Sequence, residues 1–305
     1  MTPTSTLPRA IRSILCAVDF SPQSRPAILA AAALAERFGA HITVLFVDDP
    51  LLSQAVRMRF DAQAVGQAAE AELRRFTERA LGRRSSDLRN RAIAYAIVSG
   101  PPAGEICRAV ARVSADLVVM GTRGLSGAKQ VIIGSTAEAV LTKTQVPTLV
   151  VSPAAARLVR GRRWPGRKIV AAIDLGAHAL TDTRLAARVA RTFGASLALV
   201  HVVQPRLGPP WLRLRLQDDD RARLAQARGR LRTLAAAVTG VRVATRVLRG
   251  DPADEIAAVA LASRAGLTVL LLRPGRGLFG PLTGSITYRV LAGTATPVLV
   301  VPAPA

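Results

Sequence analysis

The sequence is poor in the residues from which most recognisable chemistry is built. Aromatic residues make up 4% of its 305 positions, and there are three histidines and two cysteines. Cys16, in a strand-like run, and Cys107, in a helix-like one, form neither a disulfide framework nor a zinc site, and are expected to be reduced, buried thiols. His41, His178 and His201 fall in no triad or metal-ligand spacing, so no catalytic residue and no metal ligand is assigned. No apolar run reaches the roughly 18–20 residues of a membrane-spanning helix. The opening MTPTSTLPRAIRSIL has no apolar core followed by a small-residue cleavage site, so the expectation is a cytoplasmic protein without a signal peptide. Acids are scarce as well: 20 Asp and Glu stand against 42 Lys and Arg, a formal net charge of +22. Only three of those bases are lysine, namely Lys129, Lys143 and Lys168.

What is abundant is aliphatic. Half of the residues are hydrophobic and the mean hydropathy is +0.28, which excludes a disordered basic tail and demands sizeable cores. The chain also repeats. Arg12-Ser-Ile-Leu-Cys-Ala-Val-Asp19 returns as Arg167-Lys-Ile-Val-Ala-Ala-Ile-Asp174, and Phe38-Gly-Ala-His41 as Phe193-Gly-Ala-Ser196, both at an offset of 155. Gly100-Pro-Pro-Ala-Gly-Glu105-Ile106 returns as Gly250-Asp-Pro-Ala-Asp-Glu255-Ile256, and Gly134-Ser135 as Gly284-Ser285, at an offset of 150. A repeat of this length is a domain, so the sequence divides into residues 1–153, a basic linker at 154–166 and residues 167–305.

Within each copy short β-branched runs alternate with longer helical patterns. In the first, residues 13–18, 41–47, 92–98, 117–120 and 148–151 read as strands that are nearly all apolar, as parallel strands covered on both faces are. Residues 22–38, closed by Gly39, a stripe of Val65, Ala69, Leu73, Phe76 and Ala80, residues 101–113 and residues 135–144 read as helices. This is an α/β fold with right-handed crossovers, for which a flavodoxin-like strand order is the natural expectation. Its ligand crevice lies at the carboxyl ends of the strands, beside the first one.

A glycine loop lies at that end. After Asp116-Leu-Val-Val-Met120 come Gly121-Thr-Arg-Gly124, nine residues, and Gly134-Ser135-Thr136 opening a helix. Glycine lets backbone approach a ligand closely, and a helix start offers N–H groups and a positive dipole end to phosphate. Plainer roles exist for each residue: Asp19 as a helix cap, Gly121 and Gly124 as turn formers, Arg123 as one of many arginines, and Glu105 and Glu255 as first-turn acids.

The pattern Gly-x2-Gly-x9-Gly-Ser, together with Ala17-Val18-Asp19-Phe20-Ser21, resembles the universal stress protein family over nearly the whole chain, as two tandem domains. The resemblance implies two flavodoxin-like or Rossmann-like (adenine nucleotide alpha hydrolase-like) domains, each a five-stranded parallel sheet with helices on both faces. One subgroup of the family binds ATP through this motif. Carried over, Asp19 and the backbone of Val47 would hold the adenosine end, with Ala17, Val18 and Met120 also among the nucleotide-binding residues. Gly121, Arg123 and Gly124 would wrap the ribose and inner phosphates, and Gly134, Ser135 and Thr136 would cap the outer ones. Mg²⁺ or Mn²⁺ would accompany the triphosphate. Family members often dimerise through their last strands. Here that would make an intramolecular pseudo-dimer between the segment from Thr148 to Val151 and that from Val298 to Val301, with a further homodimer open.

The second copy departs from the motif. Aligned back from Gly284-Ser285, Leu271 and Pro274 replace Gly121 and Gly124. Asp174 and Val202 remain, and Gly275 and Gly277 offer a shifted register. The first domain is therefore expected to bind nucleotide and the second weakly or not at all. Charge follows the same asymmetry: residues 1–153 carry net +6 and residues 154–305 net +16. In the second copy Leu224, Ala227, Leu231, Leu234 and Val238 form an apolar helical stripe, edged by Arg221, Arg228 and Arg232 on one side and Arg223 and Arg230 on the other. Snorkelling on a core-packed helix explains these arginines. The alternative is a face for an anionic partner, helped by Arg206, Trp211, Arg213 and Arg215. No nucleic-acid reading motif accompanies it. The leading expectation is an ATP-binding sensor or regulator of the stress response; a non-nucleotide interaction protein and a slow ATPase are the rivals.

Overall fold

The computed structural model describes residues 10–48, 62–82, 93–122, 133–161, 164–206, 208–209, 213–273 and 286–303. The chain divides into two compact units, Met1–Trp164 and Pro165–Ala305.

The first unit carries β1 (Ser13–Val18), β2 (His41–Asp48), β3 (Ile93–Ser99), β4 (Leu117–Gly121) and β5 (Thr148–Val151). All neighbouring pairs are parallel, in the order β3-β2-β1-β4-β5. Of the two orders raised by the sequence this is the Rossmann one, not the flavodoxin-like one. From β1 the chain steps outward through β2 and β3, then returns to the other side of β1 for β4. The direction of winding reverses between β1 and β4, which is where open α/β sheets form their ligand crevice.

The helices are α1 (Arg25–Phe38), α2 (Ala62–Leu81), α3 (Pro102–Arg112), α4 (Ser135–Lys143) and α5 (Ala156–Arg160). The expected first helix begins three residues late, because Pro22–Ser24 forms a 3₁₀ turn. Ten consecutive residues of α1, from Pro26 to Ala35, are buried. A helix apolar on all sides must be covered on all sides, and α1 lies against β1 and β4 with α2 and α5 as further neighbours. Gly39 ends it in the left-handed region (φ 68°), its N–H bonded to Ala35 O. Within the expected linker, 154–166, α5 presents a fully buried Val159, and Trp164 is buried too.

The second unit repeats the plan with β6 (Lys168–Ala172), β7 (Ser196–Val203), β8 (Val243–Arg249), β9 (Leu267–Leu272) and β10 (Val298–Pro302), ordered β8-β7-β6-β9-β10 and parallel throughout. Its helices are α6 (Ala179–Thr192), α7 (Arg213–Ala236), α8 (Pro252–Ala262) and α9 (Ile286–Gly293). The register confirms the repeat: Cys16 opposite Val119 becomes Ala171 opposite Val269, and Gly121 opposite Val151 becomes Leu271 opposite Val301.

Candidate functional site

In the first unit Ala17 pairs with Met120 across β1 and β4, and Val18 with Phe46 across β1 and β2. Ala17, Val18 and Met120 are buried beneath the crevice, while Asp19, Val47 and Gly121 are half-buried where the strands end. Val47 sits one residue beyond the last β1–β2 pair.

Asp19 is held by one oxygen. Its Oδ1 accepts from the Ser21 N–H (3.1 Å), the Ser21 hydroxyl (2.6 Å) and the Ser24 hydroxyl (2.5 Å), while the Asp19 N–H donates to Ser24 Oγ (3.3 Å). Oδ2 takes no hydrogen bond among the described residues. The carboxylate thus closes the 3₁₀ turn with one oxygen and keeps the other for a donor from outside. Between Asp19 and Ser21, Phe20 adopts φ 61°, a left-handed conformation uncommon for a bulky side chain. Its ring is packed against Phe46 (4.4 Å between centroids) and Phe76 (5.7 Å). Such a backbone costs of order 1–3 kcal/mol and persists where packing over-determines it. Ser24 and the packing role of Phe20 went unassigned in the sequence; hydroxyls two and five residues after an acid were the available signal.

Beyond β4, buried Thr122 donates its N–H to Val151 O (3.3 Å), and the Gly134 N–H donates to Thr122 O (2.7 Å), pinching the base of the glycine loop. Arg123 and Gly124 lie outside the described residues. Gly134 is the N-cap of α4 at φ −65° and ψ 145°, extended backbone open to any residue. Its N–H is spent on Thr122, so it is not one of the donors for a ligand. The first intrahelical bond there runs from the Glu138 N–H to Gly134 O (3.1 Å), and no side chain caps this end. The N–H groups of Ser135, Thr136 and Ala137 are therefore unspent among the described residues, backed by the helix dipole and, at Ser135 and Thr136, by hydroxyls.

The second unit places different groups at the same points. Asp174 is exposed and takes no hydrogen bond among the described residues, because Gly176 and Ala179 stand where Ser21 and Ser24 hold Asp19. Leu271 occupies the register position of Gly121. Arg273 forms a two-pronged ion pair with Asp182: Nη1 donates to Oδ2 at 3.0 Å and Nη2 to Oδ1. Val202 is half-buried, and a His201 ring nitrogen, Nδ1, donates to Ile173 O at 2.8 Å, a packing role for that histidine. Gly275, Gly277, Gly284 and Ser285 lie outside the described residues.

The arginines edging α7 divide. Arg221 pairs with Asp218, Arg206 with Asp219, and Arg223 and Arg249 with buried Asp220, while Arg230 donates to Gly176 O. Arg215, Arg228, Arg232 and Arg246 are exposed and meet no acid among the described residues. Trp211 and the Arg213 side chain are outside them. Glu105 folds beneath Gly100 and pairs with Arg108, a structural role. No helix among the described residues is long and apolar enough to cross a membrane, and no group of three or more His, Cys, Asp or Glu is placed to hold a metal.

A family model described as the universal stress protein family matches residues 10–152 and, again, 166–302. A universal stress protein of Mycolicibacterium smegmatis is 28% identical over 305 residues, covering 94% of this chain and 96% of its own. Another, of Thermus aquaticus, is 34% identical over 140 residues, which is 44% of this chain and 98% of that protein. The crystal structure of a universal stress protein from Archaeoglobus fulgidus has a TM-score of 0.62 at 20% identity and covers 98% of each chain, a likeness of fold.

Proposed function

We infer an adenine-nucleotide-binding, regulatory role for the first unit of this chain, which belongs to the universal stress protein family. The observation that carries it is the pairing of Asp19 with the start of α4 at one crevice. At one end is a carboxylate oxygen without a partner among the described residues, suited to accept from a base or sugar hydroxyl. At the other are three N–H groups without partners among the described residues, suited to phosphoryl oxygens. A molecule with a donor-bearing head and an anionic tail satisfies both. Buried Ala17, Val18 and Met120 supply the apolar contact that a purine needs. A divalent cation arriving with a triphosphate would be held by phosphate oxygens and water, the usual habit of Mg²⁺.

The test is calorimetric titration with ATP of the purified chain and of Asp19→Ala and Gly134→Asp variants. Binding by the parent that falls at least about tenfold in both variants supports the reading. Equal, salt-sensitive binding by all three assigns it to surface charge instead. Phosphate release in the same samples separates a binding protein from a slow ATPase.

A second reading rests on the exposed Arg215, Arg228, Arg232 and Arg246 of the second unit, which would dock an anionic partner there. Pull-down of an acidic polymer, lost when these four are replaced by serine but kept in Asp19→Ala, favours it.

A further inference from the structure

We propose that Asp182 is a built-in anion held by Arg273 in the place of an outside oxyanion, so that the second unit carries a closed phosphoryl site with Arg273 as its cation. The proposal rests on the reading that the equivalent crevice of the first unit takes phosphate.

The placement follows from the strand order. Arg273 leaves the sheet one residue past β9, and Asp182 lies in the first turn of α6, which follows β6. β6 and β9 are neighbours, so a contact between these side chains crosses the point where the winding reverses. That is the second unit's counterpart of the gap between β1 and β4. By the common register Arg273 corresponds to Arg123, and Asp182 to Ala27, an uncharged, fully buried residue of α1. The carboxylate is thus an addition particular to one copy.

The chemistry of the pair is that of an oxyanion grip. A guanidinium binds a carboxylate or a phosphate with the same parallel fork of N–H groups. Here both side chains are largely removed from water, 14% exposed for Arg273 and 4% for Asp182, so neither charge is satisfied by solvent. The carboxylate does not use up the arginine: Arg273 Nε is buried and has no hydrogen-bond partner among the described residues. A single oxyanion cannot span both the Nη1/Nη2 edge and the Nε edge of a guanidinium, whereas a polyphosphate, with oxygens on neighbouring phosphorus atoms, can meet both. Leaving a buried donor unmet costs free energy, which a phosphoryl oxygen would recover. Exposed Asp174 adds a second negative charge to the same crevice and reinforces the exclusion of anions while Asp182 is in place.

The plain alternative is a buried ion pair that only fastens β9 to α6. The two differ in what happens when the carboxylate goes. Inorganic triphosphate, and separately ATP, would be titrated into the full chain and into Asp182→Asn, Asp182→Ala and Asp182→Ala/Arg273→Ala variants. Calorimetric stoichiometry and the triphosphate-induced shift in unfolding midpoint would be read together. Asn keeps the shape of Asp182, which guards against loss of folding. The expected result is one more triphosphate per chain in both single variants than in the parent, bound roughly tenfold or more tightly than any second site of the parent, and loss of that gain in the double variant. If the parent binds no ATP while the single variants still gain Arg273-dependent triphosphate, the reading of the first unit falls and this one stands. Folded single variants with no added binding overturn it, as does a gain that survives Arg273→Ala. Failure of both single variants to fold in excess triphosphate also overturns it, since the pair is then fastening alone.

Discussion

Ser24 and Asp19 are bonded twice across the turn that ends β1: the Ser24 hydroxyl donates to Asp19 Oδ1 at 2.5 Å and accepts from the Asp19 N–H at 3.3 Å. With Ser21 on the same oxygen, the carboxylate is fixed before any ligand arrives, which spares the ordering cost of binding. Ser24→Ala is expected to weaken ATP binding by about 3- to 10-fold, in line with one lost hydrogen bond to a half-buried group. Ser21→Ala/Ser24→Ala should weaken it further and Asp19→Ala most, all by calorimetry. An unchanged affinity in the double serine variant would detach the turn from binding.

Two glycines carry constraints of different hardness. A β-carbon on Gly266 would lie 1.6 Å from the carbonyl oxygen of Pro165, which is backbone and cannot swing away. One on Gly100 would lie 2.6 Å from Glu105 Oε1, the end of a side chain, at a strained φ of 152°. Gly266→Ala should therefore cost more than Gly100→Ala, for which about 1–3 kcal/mol is expected. Urea unfolding of the two variants measures the order, and a Gly266→Ala chain as stable as Gly100→Ala contradicts it.

The repeat, the strands and most helix positions were legible because buried parallel strands are apolar on both faces and because Gly39 marks the end of α1. Strand order was not, since apolar runs do not say which neighbour they choose. Residues 154–166 read as linker from their arginine, glycine and proline, a composition that gives no sign that Val159 and Trp164 among them are buried. At the candidate site the acid and the glycine loop were visible as a spacing. The role of Gly134 was not, because only geometry shows its N–H turned back to Thr122. Asp182 carries no signal in the sequence, because its partner stands 91 residues away.

Acid should weaken the fold along a defined limb. Hydrogen bonds from Arg249, Arg289 and Arg108 hold the carboxyls of Asp220, Asp251 and Glu105, respectively, below their usual range. Groups depressed in the folded state contribute stability that is complete above their unfolded value, near 4, and lost as pH falls through the lower folded values. The thermal midpoint should thus be level in this respect above about pH 5 and decline below about pH 4. Asp251 also caps α8 through the Ala253 and Asp254 N–H groups, so Asp251→Asn should lower the midpoint at pH 7 and flatten the acid limb. A limb as steep as the parent's in that variant would remove Asp251 from the set.

Cys16 offers a reporter of binding. It is fully buried in β1, and burial pushes its thiol up to about 12, so almost none is thiolate at pH 8. Half-buried Cys107 is raised as well, mainly by burial and with partial relief from Lys143. A thiol reagent should modify Cys107 first and reach Cys16 only when the first unit opens. Labelling of Cys16 then measures that opening, and a ligand bound only to the closed unit slows it by mass action. At 100 times its Kd, ATP should slow Cys16 labelling by about 100-fold, with mass spectrometry distinguishing the two sites. Inorganic triphosphate gained through Asp182→Asn binds the other unit and should leave the rate at Cys16 where it was. Slowing by ATP without slowing by that second ligand would place nucleotide in the first unit. No slowing by ATP at saturating concentration would remove it from there.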